Sequence, residues 1–203
     1  MYVDGVPLEE GFGVMAQRVT QAARRERTRS ALLTAARELF AERGFADTGR
    51  DDIATRAGVT SGALYHHFES KTAVAAAVVE ALDAELVDRV VAAAKRGTDP
   101  FDQLRRSCRA YIDACAEPDI ARILIEAPAV LGPDALRAID EASAVRLLRA
   151  ALANMDVPGD TRVAAHLLLG MLNEAAMLVA TDSTARRRVQ ATVDGFLEKL
   201  LGS

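Results

Sequence analysis

The residues from Gly44 to Lys71, GFADTGRDDIATRAGVTSGALYHHFESK, have types and spacings suited to gripping a nucleic acid rather than to catalysis. Ser61, Gly62 and Ala63 are small for the exposed start of a helix. Small side chains let a backbone approach DNA closely, and the Ala63 methyl suits a thymine methyl. Tyr65 and His67 lie two positions apart, so they leave a helix on different faces and reach phosphates on either side of a groove. Lys71 stands in the first turn of the next helix, where a cation opposes the macrodipole at a cost of roughly a few tenths of a kcal/mol. A phosphate there reverses the sign, because lysine and a helix N-terminus both favour anions. Singly, each residue has a plainer role: Tyr65 as a half-buried packing residue, His66 and His67 as solvated imidazoles, Lys71 as a surface charge. In register they form one DNA-contacting set.

These residues need a frame that holds them. A helix-turn-helix requires a small residue where two helices cross, an apolar layer beneath, and a second helix whose outer face fits a major groove. Ile53, Ala54, Ala57, Val59, Leu64 and Phe68 supply the layer and the crossing. The spacing predicts a helix over about 50–56, a turn at Ala57-Gly58-Val59 with Gly58 at positive φ, and a helix capped by Thr60 that stops near His67. An earlier helix stops at Gly44, with Leu32, Ala36, Leu39 and Phe40 on one face. Its start is open, because the arm from Thr20 to Arg29 either continues it or stands apart. Ser70 caps a helix running to about Lys95, with Val79, Leu82, Leu86 and Val90 on one side. Beyond Gly97-Thr98-Asp99-Pro100, helices are expected at about 101–116, 118–126, 133–155, 159–181 and 184–201. Their limits carry Pro118, Pro128, Gly132-Pro133, Pro158-Gly159 and Asp182-Ser183.

The chain is expected to be all-α, with about nine helices and no alternating strand pattern. It divides into an N-terminal extension (1–19), a three-helix DNA-binding unit (20–70) and a helical bundle (71–203). Half of the 203 residues are apolar and aromatics are scarce, which favours helix packing. The net charge of −4 is unevenly spread: residues 15–71 hold ten basic and seven acidic side chains, with Arg18, Arg24, Arg25, Arg27 and Arg29 clustered. That is a basic arm on an otherwise acidic protein. No run of 18 uncharged apolar residues suggests a membrane span, and residues 1–14 lack a secretory pattern. With two cysteines, this points to a reducing cytoplasm. No Cys/His/acid spacing suits a metal, and no phosphate loop or nucleophile elbow is present, so neither enzyme activity nor a cofactor is expected.

The register of Arg29, Leu32-Leu33, Ala35-Ala36, Leu39-Phe40, Gly44-Phe45, Thr48, Ile53-Ala54, Ala57-Gly58-Val59-Thr60, Gly62, Leu64-Tyr65, His67-Phe68 and Lys71 resembles the tetracycline-repressor-like (TetR) family of bacterial regulators. The resemblance covers about a quarter of the chain. It implies phosphate contacts from Tyr65, His67 and Lys71, and contacts near the bases from Thr60, Ser61, Gly62 and Ala63. One departure is Gly49-Arg50, where the family has Thr or Ser followed by an apolar residue. Gly49 permits a helix cap but offers no side-chain bond, and Arg50 exchanges a packing role for a DNA contact.

The resemblance further implies that the bundle encloses an effector cavity. Its candidate lining is Leu104, Cys108, Tyr111, Ile123, Leu124 and Ala127, joined by His166, Gly170, Asn173 and Met177. The last four share one stripe at i, i+4, i+7 and i+11, too polar for ordinary core; they line either a pocket or a polar dimer seam. Such a cavity suits a lipophilic small molecule. Cys108 and Cys115 lie about 10 Å apart along a helix, too far for a bridge within it, and read as packing cysteines. Leu167, Met171, Ala175, Leu178, Val189, Val193, Phe196 and Leu200 form apolar stripes near the C-terminus, either monomer core or an association surface. The DNA argument favours association, since a two-fold dimer reads two half-sites about 34–36 Å apart. The expected protein is a homodimeric repressor that leaves a palindromic double-stranded operator when a lipophilic small molecule binds. The same module also fits an activator or dual regulator, or a helical ligand-binding or scaffolding protein.

Overall fold

The computed structural model describes residues 2–3, 6–153, 155, 157 and 159–201, with side chains from residue 21 on. Ten helices are described: α1 (Leu8–Arg43), α2 (Arg50–Arg56), α3 (Ser61–His67), α4 (Lys71–Ala94), α5 (Pro100–Cys115), α6 (Pro118–Leu131), α7 (Pro133–Ala142), α8 (Ala144–Leu152), α9 (Thr161–Thr181) and α10 (Arg186–Leu201). A 3-10 turn, Ser183–Ala185, leads into α10, and a two-residue pairing of Tyr2–Val3 with Val6–Pro7 precedes α1. The all-α expectation is met.

Local chemistry explains the sharpest boundaries. Gly44 (φ +84°) ends α1 and Gly58 (φ +68°) makes the turn after α2. The hydroxyls of Thr60 and Ser70 accept the N–H groups of Ala63 and Ala73, capping α3 and α4. Gly49 caps α2 with no side-chain bond of its own; the Asp52 carboxylate accepts its N–H instead, at 2.9 Å. The basic arm continues α1 without a break, so the boundary set at residue 19 falls inside a helix. Arg18 and the Pro158 boundary lie outside the described side chains and residues.

Two expected helices differ. Pro128 does not end α6, which continues to Leu131. The proline forfeits one intrahelical bond, but Ala127, Val130 and Leu131 pack against the N-terminal core and outweigh it. The helix expected over 133–155 is two, α7 and α8, broken at Ser143 (φ −129°, ψ −87°). Ser143 Oγ turns back to the Ile139 carbonyl at 3.1 Å, a local bond that competes with helix.

The core has two main parts. One joins α1, α2, α3 and the first half of α4, and is completed by Ile120, Ile123 and Ala127 of α6. The other gathers α5, α8, α9 and α10 around Ile112, Val145, Leu169 and Leu197. A small cluster of Leu86, Ala114, Cys115 and Ala176 lies between them. Packing is therefore continuous across the boundary expected at 70/71. α9 alone among the described helices has the length and mean hydropathy, 1.6, of a membrane span. Its inward residues, Leu168, Leu169, Leu172 and Ala176, are those packed in these clusters.

Candidate nucleic-acid interface and apolar cavity

α2 and α3 are clamped to α1 from both sides. Arg56 forms a bidentate pair with Glu42 (2.9 Å each) and reaches Glu38 at 3.2 Å. The buried Thr48 hydroxyl donates to the Gly44 carbonyl at 2.7 Å, closing the α1–α2 corner. Ile53, Ala54, Leu64 and Phe68 are buried beneath, as expected. The opposite face of α3 is open: Thr60, Ser61, Gly62 and Tyr65 are exposed and Ala63 half-buried. A Cβ built on Gly62 meets only Thr60 Oγ1, at 3.9 Å. Nothing inside the fold demands glycine there.

The flanking residues are organised beforehand. The Arg50 guanidinium stacks 4.2 Å over the Tyr65 ring and donates to the Glu69 carbonyl at 3.3 Å. Arg50 therefore orients Tyr65 as well as presenting charge. Ser61 Oγ donates to Asp51 Oδ1 at 2.7 Å. His67 is half-buried. Burial holds its imidazole below the ordinary value, and the charges of Arg25, His66 and Arg29 push it the same way. At neutral pH it is thus a neutral N–H donor.

Lys71 is held within the fold. Its ammonium donates to three carbonyls, Phe45 at 2.7 Å, Thr48 at 3.0 Å and Ala46 at 3.2 Å, and lies 4.2 Å from the Phe45 ring centre. All three N–H bonds are thereby used. The carbonyl-rich corner after α1 offsets the cation's position at the start of α4.

Two adjoining cavities lie in the bundle. One, about 280 Å³, is lined from α4, α5, α8 and α9, including Leu104, Cys108 and Tyr111. The other, about 270 Å³, is lined from α4, α5, α6, α7 and α9, including Tyr111, Leu124, Ala127, Asn173 and Met177. Asp83, Leu86 and Tyr111 line both. The Tyr111 hydroxyl donates to Asn173 Oδ1 at 2.6 Å, and burial raises the phenol well above its usual range. Burial likewise pushes the Cys108 and Cys115 thiols up to about 12; both are free and buried. They are packing groups, not nucleophiles.

Three expected lining residues stand elsewhere. Ile123 is buried in the N-terminal core. Gly170 is exposed, with nothing within 4 Å of a Cβ built on it. His166 Nε2 stands 3.0 Å from Glu141 Oε1, which also takes Arg162 Nη2 at 2.7 Å, in a cluster outside the cavity. The helical stripe failed because α9 turns only part of it, Asn173 and Met177, inward. Conversely, Asp83 and Asp140 were missed. A signal existed: Asp83 lies within the apolar side Val79, Leu82, Leu86, Val90, and a carboxylate on such a face asks for a reason.

Of the expected association residues, Ala175 and Val193 are buried within the chain's own core, each 4% exposed, and Met171 and Val189 pack partly against it. Leu167, Leu178, Phe196 and Leu200 are exposed, together with Val163, which sequence reasoning missed.

A family model described as "Tetracyclin repressor-like, C-terminal domain" matches residues 101–202, and one described as "Bacterial regulatory proteins, tetR family" matches residues 32–78. The chain is 40% identical over 89 residues to the HTH-type transcriptional activator FasR of Mycolicibacterium smegmatis, covering 44% of this chain and 41% of that one. It is 58% identical over 43 residues to the HTH-type transcriptional repressor KstR2 of Rhodococcus jostii, 21% of each. The match thus spans less than half the length of these curated relatives. A solved TetR-family transcriptional regulator from Pectobacterium atrosepticum is similar at 39% identity, with a TM-score of 0.74 over 89% of this chain and 97% of that one.

Proposed function

We propose, from the premise that this chain belongs to the tetracycline-repressor-like (TetR) family of helix-turn-helix transcriptional regulators, that two copies grip a palindromic operator and release it when a small molecule fills the bundle. The observation that carries this reading is the outer face of α3, where Thr60, Ser61, Gly62 and Tyr65 are exposed beside the basic arm of α1, whose Arg25 and Arg29 act on His67 and whose Arg29 stacks on Phe68. Tyr65 and the neutral His67 donate to phosphates, while residues 60–63 approach base edges. Lys71 acts indirectly, by fixing the α1–α2 corner that sets the angle of α3.

Release requires that effector and DNA prefer different conformers. α6 is the natural carrier. One side of it faces the second cavity through Ala121, Leu124 and Pro128. From the other, Arg122 donates to the Ala41 and Glu42 carbonyls (3.3 and 2.8 Å), and Glu126 accepts the Phe45 N–H at 2.7 Å. A shift of α6 therefore pulls on the end of α1 and tilts α2 and α3; α4 transmits the rest, since it touches both cavities and the N-terminal core. The exposed apolar residues of α9 and α10 supply the dimer seam.

Activation is the second reading, supported by the relative named as an activator. A mobility-shift titration on DNA flanking the chain's own gene tests the shared premise. Saturable binding that weakens steeply with salt is expected; no binding at low salt overturns it. Transcription from that DNA in vitro then separates the readings by the sign of the response.

A further inference from the structure

The two adjoining cavities carry charge of one sign only. Asp83 faces both, and Asp140 of α7 faces the second. Among the described residues, no Lys, Arg or His lines either cavity, and neither carboxylate has an ion-pair partner. The nearest candidate cation, His166, is already held by Glu141. Asp83 meets Ser143, and the other polar groups at hand are Tyr111, Asn173, Gln103 and Ser107, set in walls of Leu, Val, Ala and Pro.

A carboxylate placed on apolar walls without a cation is costly unless something pairs with it. Ser143 meets Asp83 and the His166 charge reaches Asp140 from outside the cavity, but no described cation lines the space beside either carboxylate. An anionic effector would add a third negative charge to this space and meet no cation. A neutral one would leave both carboxylates uncompensated. A cation relieves them, and its apolar body fits the remaining walls. The Tyr111 ring adds an electron-rich face and Asn173 Oδ1 an acceptor.

We infer that the effector is a lipophilic organic cation, an amine or ammonium group on an apolar body, with its charge held at Asp83 and Asp140 and its body lying between α4 and α5. The inference rests on the reading of these cavities as the effector site. Burial pushes both carboxyls above their usual range, Asp83 directly and Asp140 with help from the Asp83 charge.

The test is titration calorimetry of the full chain at neutral pH with three probes sharing one apolar body: phenylbutylamine, phenylbutanol and phenylbutyrate. The amine is expected to bind at least about tenfold more tightly than either of the others, as one desolvated charge contact requires. Asp83→Asn with Asp140→Asn should abolish that preference, so that the amine and the alcohol bind alike. Equal or tighter binding of the alcohol or the butyrate overturns the inference, as does no amine binding up to millimolar concentration or an amine affinity unmoved in the double variant. The same complexes are then added to the DNA mobility-shift titration. If the amine binds through the aspartates but leaves DNA affinity unchanged, the cation preference stands and the effector reading fails.

Discussion

Gly58 and Gly62 lie four residues apart and are glycine for opposite reasons. Gly58 holds φ at +68° with open space around a built Cβ, so only its backbone freedom matters. Gly58→Ala is expected to cost about 1–2 kcal/mol in a denaturation melt. Gly62 lies in helix with room for a methyl, so Gly62→Ala should not lower the melting temperature. It should nonetheless weaken operator binding, by crowding DNA. Lys71 separates two roles in the same way. Lys71→Met strands three carbonyls and is expected to cost about 1–3 kcal/mol of stability, with the salt dependence of DNA binding unaltered. A salt slope flattened by about one unit would return Lys71 to the phosphate contacts. For Asp83, burial places the folded carboxyl above its unfolded value. Such a group costs stability as pH rises through the folded value. Asp83→Asn should therefore raise the melting temperature at neutral pH. Melts repeated at falling pH should show the gain fading below the ordinary carboxylate range, with Asp140, Tyr111 and Cys115 as the titratable neighbours to control.

At the scale of elements, legibility followed locality. The limits of α2 and α3 were written in Gly58 and Thr60, whose turn and cap chemistry acts within a few residues. The continuation of α6 through Pro128 and the break at Ser143 were not, because packing on another helix decides the first and a serine bond that many helices tolerate decides the second. The same division holds at the site. Leu104, Cys108, Tyr111, Leu124 and Ala127 line the cavities because inward apolar faces repeat at helical spacing, whereas His166 and Gly170 stand outside them because periodicity gives a stripe but not the angle at which a helix sits. The α6–α1 junction was invisible, since Arg122 and Glu126 look like surface charges until α1 is docked against them. It now bears a prediction: Arg122→Ala combined with Glu126→Gln should leave effector binding intact but reduce its effect on DNA affinity by about 1 kcal/mol or more. Comparing DNA titrations with and without saturating effector checks it.

At the scale of the whole molecule, the exposed apolar residues of α9 and α10 are the surface on which the proposed dimer is tested. Leu167 is 71% exposed and Phe196 50%, yet their neighbours in the same helices are core. Leu167→Glu with Phe196→Glu is expected to convert a dimer to a folded monomer in sedimentation velocity, and to lower the steepness of DNA binding because each half-site is then read alone. Ala175→Glu or Val193→Glu should instead unfold the chain, since those residues are interior. The core completed by Ile120, Ile123 and Ala127 has a different consequence, one for engineering. A chimaera that grafts only residues 20–70 onto a foreign sensor leaves a void where those three side chains sat. Hybrid regulators made from this chain need α6 to travel with the reading head, or a recipient helix resurfaced to match its footprint.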